Sequence, residues 1–152
     1  MKLFKTDNMR RYNIDTKFGN LAYLIGEFEK YKNLAKSYLE ILQGTSNKYA
    51  ILDSELIGNT IKFTFWGLDL TVKTEISLNV ENKTFFNGEL NSHIKRLDNE
   101  ELLMTYKFDS IGNIGRSETD YLSDDFAKFF IVDLIVEAIE YSIKNNIKFQ
   151  LK

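Results

Sequence analysis

Two neighbouring segments in which apolar and polar residues alternate constrain the fold of this chain most strongly. Apolar residues occupy every second position from Ile61 to Phe65, and the alternation resumes over Leu70–Val80. Because successive side chains of a strand point to opposite faces, each segment predicts a strand with one apolar face. A tight turn at Gly67–Asp69 joins the two strands as an antiparallel hairpin. The apolar face of this hairpin requires an apolar layer to cover it.

The segment before the hairpin predicts a long helix. It begins near Asp15 or Thr16, which can cap it, and it ends at Gly44, because glycine readily adopts a left-handed conformation. Such a helix has about 28 residues and a length of about 42 Å, so it either kinks near Gly26 or projects beyond the sheet. Projecting apolar surface would favour a homodimer or another partner. Steps of three and four define one apolar stripe: Phe18, Leu21, Ala22, Ile25, Phe28, Leu34, Ala35, Tyr38, Leu39 and Leu42.

A second helix is predicted near the end of the chain, over Phe126–Ile143, with Ser123 as its cap. This segment is apolar on almost all sides, which predicts a deeply buried helix in the concavity of the sheet. The first helix or another subunit would then lie against its flank. Its charged residues form one narrow stripe: Lys128, Asp133, Glu137, Glu140 and Lys144.

The remaining alternating segments complete an antiparallel meander of about five to six strands. We predict an α+β fold with the long N-terminal helix and the buried C-terminal helix packed on one face of the sheet. The chain forms a single domain over residues 1–152, with residues 1–13 as a flexible N-terminal segment. The additional strands are predicted at Tyr49–Ile57, at Thr84–Leu90 with a continuation to Leu97 and a break near Gly88 or Asn91, at Leu102–Asp109, and at an edge position over Ile147–Leu151.

Composition excludes several kinds of site. The chain has no cysteine and a single histidine, His93, which removes disulfides, thiolate zinc sites and multi-histidine metal sites. No cofactor or metal is expected. The net charge of −2 does not indicate direct nucleic-acid binding. No apolar run is long enough for a signal peptide or a membrane span, so we expect a cytoplasmic protein.

One glycine-containing string resembles a known motif. Ile111-Gly-Asn-Ile-Gly-Arg116 resembles the glycine loop of KH-type RNA-binding domains, in which backbone amides and a basic residue clamp the nucleic-acid backbone. In that family the loop joins two helices, whereas a predicted strand precedes it here. Glu118 and Asp120 follow the string and would repel phosphate. A linker between a strand and a helix is therefore the favoured interpretation.

Clustered carboxylates are the next candidates for chemistry. Glu118, Asp120, Asp124 and Asp125 could attract a hard cation such as Mg²⁺, but their spacing matches no calcium loop. Capping of the second helix and interaction with its positive end explain the acidic residues without a metal.

Isolated polar residues on the predicted strands give equally weak catalytic signals. Asp53 and Glu55 lie two apart, so they can share a strand face as paired carboxylates do in glycoside hydrolases. His93 could act as a general base, and the neighbouring Lys95 and Arg96 could join a basic patch. No partner residue is identifiable for any of them, and solvent-exposed strand faces account for all.

Aromatic residues at polar positions are the only feature that indicates function. By alternation, Trp66 shares the outer face with Lys62 and Thr64, and one of Phe85 and Phe86 must point away from the core. Tryptophan is frequent in binding hot spots. The residues predicted to bind a partner are Trp66, Lys62, Thr64, Phe85, Phe86, Arg10 and Arg11.

These observations predict a non-enzymatic protein–protein interaction module. The size and the lack of a catalytic signature are typical of small inhibitors or immunity-type proteins that bind and block a macromolecular partner. The absence of proline and the abundance of Lys, Asn, Ile and Phe favour an AT-rich bacterial or phage genome. The alternative is a protein that binds a small apolar ligand in a cavity between the sheet and the C-terminal helix, lined by Phe63, Tyr106 and Phe129.

Overall fold

The computed structural model describes residues 10–49, 52–78, 86–116 and 125–149, with side chains of the first helix from residue 19 onward. Within these ranges the chain has two helices and one six-stranded antiparallel sheet, which confirms the predicted α+β class. The elements in order are α1 (Arg10–Tyr49), β1 (Asp53–Ile57), β2 (Thr60–Phe65), β3 (Leu68–Leu78), β4 (Phe86–Arg96), β5 (Asn99–Phe108), β6 (Ile114–Gly115) and α2 (Phe126–Lys144).

The central hairpin of β2 and β3 has the predicted inner and outer faces. Ile61, Phe63 and Phe65 are buried on the face that the helices cover, as their alternation predicts. The turn, however, consists of Trp66 and Gly67, with φ values of 50° and 80°. Two-residue hairpin turns of this kind require positive φ, which glycine adopts without strain. The turn therefore begins one residue before the predicted Gly67–Asp69 and ends two residues before it.

The strand β4 is continuous, so the predicted break near Gly88 or Asn91 is absent. A register shift occurs instead between Ser92, which pairs with Met104, and His93, which pairs with Leu102. Leu103 is the extra residue of this bulge on β5. A one-residue shift exchanges the two faces of a strand. After Leu103 the even-numbered residues of β5 therefore face the core, whereas before Leu103 they face outward.

Several predicted boundaries are wrong. α1 continues through Gly44 to Tyr49, so β1 begins only at Asp53. The sixth strand is Ile114–Gly115, inside the predicted linker, whereas residues 147–149 form no strand. α1 also begins at Arg10, so the last part of the segment predicted to be flexible is helical.

One hydrophobic core lies between the sheet and the two helices. The ring centroid of Tyr38 on α1 lies 5.2 Å from that of Phe108 on β5 and 5.0 Å from that of Phe126 on α2, so this ring joins both helices and the sheet. The ring centroids of Tyr106 and Phe130 lie 4.7 Å apart. These edge-to-face contacts allow large rings to fill the interior.

α2 is less buried than its composition predicts. One side packs on the core through Phe130 and Leu134, but no described residue covers the opposite side. α2 packs on the sheet as predicted, but it is buried on one side and not on all sides, because the helices form a single layer that leaves its outer side in solvent. The large apolar residues exposed there are Phe129, Val132, Val136 and Ile143.

Candidate protein-binding surface at the projecting end of the first helix

α1 extends well beyond the sheet that it covers. Its 40 residues correspond to a length of about 60 Å, whereas the longest strands have 11 residues, or about 37 Å. From Tyr31 to Leu42 the apolar stripe of α1 is buried on the sheet. Before Tyr31 the stripe is only partly covered by the described residues, since Phe28 contacts Phe86 of β4 and Leu24 packs partly against the core. We call residues 19–30 the α1 extension.

The apolar stripe continues along the α1 extension in exposed form. Leu21, Ile25 and Phe28 follow one another at steps of four and three, so they lie on one face of the helix. Their exposed fractions are 45%, 56% and 39%, against 1% for Tyr31, which follows Phe28 on the same face. Among the described residues, burial of the apolar stripe therefore decreases from Tyr31 towards Leu21, at the margin of the sheet.

Contacts with the first residue of β4 hold the base of the α1 extension. The ring of Phe86 lies 5.8 Å from the rings of both Phe28 and Tyr31. The phenol of Tyr31 donates a hydrogen bond of 3.1 Å to the carbonyl oxygen of Phe86. Leu78 of β3 pairs with Phe86 and is 61% exposed. Leu78 thus adds to the apolar surface at this end of the molecule.

A groove of about 530 Å³ lies beside this surface, between α1 and the edge of β3. Its apolar wall includes Phe28 and Leu39 of α1, together with Leu56 and Ile76 of the sheet. The turn between β1 and β2, at Gly58 and Asn59, forms one end. We call this the α1–β3 groove. A concave apolar surface beside an exposed apolar stripe is the arrangement that protein-binding surfaces use.

The outer sheet face carries two of the predicted binding residues in the expected place. Lys62 and Thr64 of β2 are both exposed there. Trp66 does not join them, because it lies in the turn after β2 and stacks on Phe65 at 4.4 Å. Its ring also contacts Phe149 at 5.2 Å and is 50% exposed. Trp66 therefore marks the end of the hairpin and not the centre of the outer face.

The predicted role of the two adjacent phenylalanines is also revised. Phe86 is buried in the core, where it contacts α1, so it is not an outer-face binding residue. Phe85 lies outside the described residues. Arg10 and Arg11 form the start of α1, but their side chains lie outside the described part.

The middle of the outer face is polar and is crossed by an ion pair. Lys73 Nζ lies 2.8 Å from Glu100 Oε2, and this hydrogen bond is the main cause that lowers the pKa of the Glu100 carboxyl. His93 lies between Thr71 and Leu102 in the sheet register, and its Nδ1 has no partner in the described part of the chain.

Of the two predicted carboxylate groups, one lies only partly within the described residues. Asp53 and Glu55 share the outer face, where they pair with Thr64 and Lys62 across the strands. Glu118, Asp120 and Asp124 lie outside the described residues, whereas Asp125 is exposed and precedes the first turn of α2. Within the described ranges no group of three or more potential metal-binding side chains occurs.

The string from Ile111 to Arg116 forms a tight loop between two strands and not a loop between helices. Asp109 Oδ1 accepts hydrogen bonds from the backbone amides of Ile111 at 3.1 Å and Asn113 at 2.9 Å. Gly112 has a φ of 91°, which glycine accommodates without strain. Arg116 forms an ion pair with Glu137 of α2 at 3.2 Å. Asp109 thus organises the loop, and Arg116 is engaged within the protein.

Comparisons with protein-family models, curated proteins and solved structures find no match for this chain. In the described part of the chain, neither helix is both long and apolar enough to span a membrane.

The α1–β3 groove is the feature that sequence reasoning missed. The feature that could have indicated this groove is the difference in length between two paired strands, since β3 has 11 residues and β2 only six. The glycine at position 58 places the preceding turn opposite the middle of β3, so the second half of β3 extends beyond β2. A strand that extends beyond its partner leaves part of its edge open.

Proposed function

We propose that this protein is a non-enzymatic interaction module that binds another protein through the α1 extension. The observation that carries the proposal is the continuation of the core stripe of α1 into exposed Leu21, Ile25 and Phe28. Burying an apolar side chain contributes about 1.5–3 kcal/mol relative to full exposure. A folded chain that leaves three such residues in one row has a surface suited to a partner.

Inhibition of that partner is the mode of action that we propose. A protein that acts by covering a surface, as inhibitors and immunity-type proteins do, needs complementary apolar and polar groups and no reactive ones. The neighbouring α1–β3 groove and the exposed Leu78, two residues after Ile76 of the groove wall, enlarge the available surface. A homodimer through α1 is the other arrangement that would cover the same stripe.

The proposal is tested by capture experiments with three matched proteins. Tagged wild type, Ile25→Glu and Val136→Glu are incubated with lysate of the source cells, and bound proteins are quantified by mass spectrometry. Both substitutions place a carboxylate at an exposed apolar position, but Val136 lies on α2. We expect one stoichiometric protein with wild type and Val136→Glu, and its loss with Ile25→Glu.

Other outcomes assign the binding surface differently. Loss with Val136→Glu alone would move the site to the outer side of α2. Equal capture by all three proteins would contradict a role for either helix. A wild-type dimer that Ile25→Glu converts to a monomer, measured by light scattering, would assign the stripe to self-association.

A small apolar ligand remains the alternative function, with a different site. The space between the sheet and α2 is occupied by Tyr106, Phe130 and Leu134, and Phe129 points into solvent instead of lining it. The α1–β3 groove has the size and the apolar wall that a ligand would need. An apolar compound that co-purifies in stoichiometric amount, detected by native mass spectrometry, would favour this alternative.

A further inference from the structure

We infer that the partner enters the α1–β3 groove as an extended segment that pairs with the open edge of β3 at Ile76 and Leu78. This inference rests on the proposed function and specifies the chemistry of the partner. Addition of a strand to an exposed sheet edge is a recurring mode of peptide recognition, in which main-chain hydrogen bonds provide affinity and side-chain pockets provide specificity.

The open edge follows from the pairing of the strands. β2 begins at Thr60, which pairs with Lys73, so Glu75–Leu78 extend beyond β2 and pair only with β4. The last bond between β3 and the preceding hairpin joins the Thr74 amide to the Asn59 carbonyl oxygen at 3.3 Å. Thr74 therefore directs its backbone groups towards the β2 side.

The direction of the backbone groups of the following β3 residues is given by the alternation along a strand. In an antiparallel sheet the N–H and C=O of one residue point to the same side, and successive residues point to opposite sides. Ile76 and Leu78 consequently direct their backbone groups to the same open side as Thr74. No described residue pairs with them there. A second extended chain on this side would satisfy both residues.

The groove provides apolar contacts on only one face of such an added strand. The side chains of Ile76 and Leu78 lie on the helix-facing side of the sheet, where Ile76 lines the groove together with Phe28 and Leu78 follows on the same face. Residues of the partner opposite these two positions would point towards α1, into the groove and beside its end. Apolar side chains at alternate positions of the partner would therefore be buried against α1.

The charge of Glu75, the residue before Ile76, indicates which kind of partner residue would lie opposite it on the outer face of the sheet. Glu75 of β3 lies directly opposite Glu89 of β4 on the outer face, a pairing that is unfavourable for like charges. Glu89 has Lys107 on its other side, whereas Glu75 has no cross-strand neighbour among the described residues on its open side, away from β4. A basic residue of the partner opposite Glu75 would compensate this charge. The partner segment therefore has an outward basic residue followed, towards Leu78, by inward apolar residues at alternate positions.

The test uses a phage-displayed library of random linear peptides, selected on the wild-type protein. Selected peptides are synthesised, and their affinities are measured by fluorescence anisotropy. We expect a basic residue beside alternating apolar positions. Because only alternate amides face β3, N-methylation should weaken binding by about tenfold at every second residue and little at the residues between.

Substitutions in the protein test the same geometry. Leu78→Pro removes the N–H that points to the open side, whereas Leu78→Ala removes only the exposed side chain. We expect about a tenfold larger loss of affinity for the proline variant. Glu75→Gln should weaken peptides with the basic residue by about twofold to fivefold, and the control Glu55→Gln on β1 should not. Circular dichroism of each variant verifies folding, and the N-methylation series remains decisive if Leu78→Pro unfolds.

Three outcomes would overturn the inference. In the first, the selection yields no peptide. In the second, the affinities do not alternate along the N-methylation series. In the third, Ile25→Glu abolishes peptide binding but Leu78→Pro does not affect it. The last result would indicate a partner that docks on the stripe alone, so the proposed function would stand without the strand. The proposed function is tested separately, by whether Ile25→Glu loses the partner protein in the capture experiment with cell lysate.

Discussion

The phenol of Tyr31 and the carbonyl oxygen of Phe86 form a hydrogen bond of 3.1 Å between the middle of α1 and the start of β4. Both residues are buried, and their rings lie 5.8 Å apart. This contact stands where the covered part of α1 ends and the α1 extension begins. It therefore determines the position of the extension relative to the open edge of β3.

Replacement of Tyr31 by phenylalanine tests this link. Tyr31→Phe keeps the ring but leaves the Phe86 carbonyl oxygen without its donor, so we expect a loss of about 1–2 kcal/mol in the free energy of unfolding. Urea denaturation followed by circular dichroism measures it. Tyr38→Phe is the control, because the buried Tyr38 phenol has no hydrogen-bond partner among the described residues, and it should not lower the stability at neutral pH. Equal effects of the two substitutions would contradict the importance of the hydrogen bond.

Gly88 is required by the ring that lies over it. A Cβ at Gly88 would lie 2.4 Å from two ring carbons of Phe108, the residue directly opposite on β5. Because Phe108 also packs against Tyr38, the ring cannot move without disturbing the core. Gly88→Ala is expected to reduce the free energy of unfolding by about 1–3 kcal/mol, measured by denaturant titration.

The matched substitution in α1 should have the opposite sign. No atom outside the helix lies within 4 Å of a Cβ at Gly44, which occupies a helical position. Gly44→Ala is therefore expected to stabilise the protein by up to about 1 kcal/mol, because alanine has the higher helix propensity. A destabilised Gly44→Ala would show that a glycine is needed there for a reason other than space.

The alkaline stability of the protein should depend on Tyr38. Burial, with a further contribution from Asp109, raises the pKa of the Tyr38 phenol from 10 to about 12. The folded protein thus retains this proton at pH values where the unfolded chain releases it. The stabilising effect is complete below about pH 10 and is lost as the pH rises towards about 12, with a slope of at most about 1.4 kcal/mol per pH unit.

Tyr38→Phe provides the measurement. The variant should have a smaller decrease in the free energy of unfolding above about pH 10 than wild type. Its stability at neutral pH should be equal or slightly higher, since the phenol has no hydrogen-bond partner among the described residues. Identical alkaline slopes of the two proteins would contradict a raised pKa at this residue.

Trp66 reports the packing of the segment after α2. It is the only tryptophan of the chain, and Phe149 is one of its ring contacts, at 5.2 Å. Phe149→Ala should move the fluorescence emission to longer wavelength and destabilise the protein by about 0.5–1.5 kcal/mol. Phe129→Ala, on the exposed side of α2, should leave the emission unchanged. A shift in both variants, or in neither, would contradict the local contact.

The sheet shows which parts of the fold are predictable from local pattern. The faces of β2 follow directly from the alternation of Ile61 and Phe63 with polar residues, because the direction of a strand side chain depends on its position in the pleat. The position of Phe86 did not follow, since the pattern of two adjacent phenylalanines admits either face. Its contact with Tyr31, 55 residues earlier in the chain, places it inside.

The predicted boundaries of helices and strands are wrong where tertiary contacts override the local preference of the sequence. Gly44 favours the end of a helix, but α1 continues to Tyr49, and the hydroxyl of Ser46 then donates a buried hydrogen bond to the Leu52 carbonyl oxygen. The exposed side of α2 was missed for a related reason. An apolar helix indicates burial, but how many of its sides are covered depends on how many layers the fold contains.

The sequence alone determined the class of the fold, the inner and outer faces of the central hairpin and the apolar stripe of α1, because these properties repeat with the period of one strand or one helix. Only the tertiary structure decided where that stripe extends beyond the sheet and where β3 extends beyond the end of β2. Both depend on the relative lengths and positions of elements distant in the chain, which no local period encodes. The candidate surface lies at the place where those lengths differ.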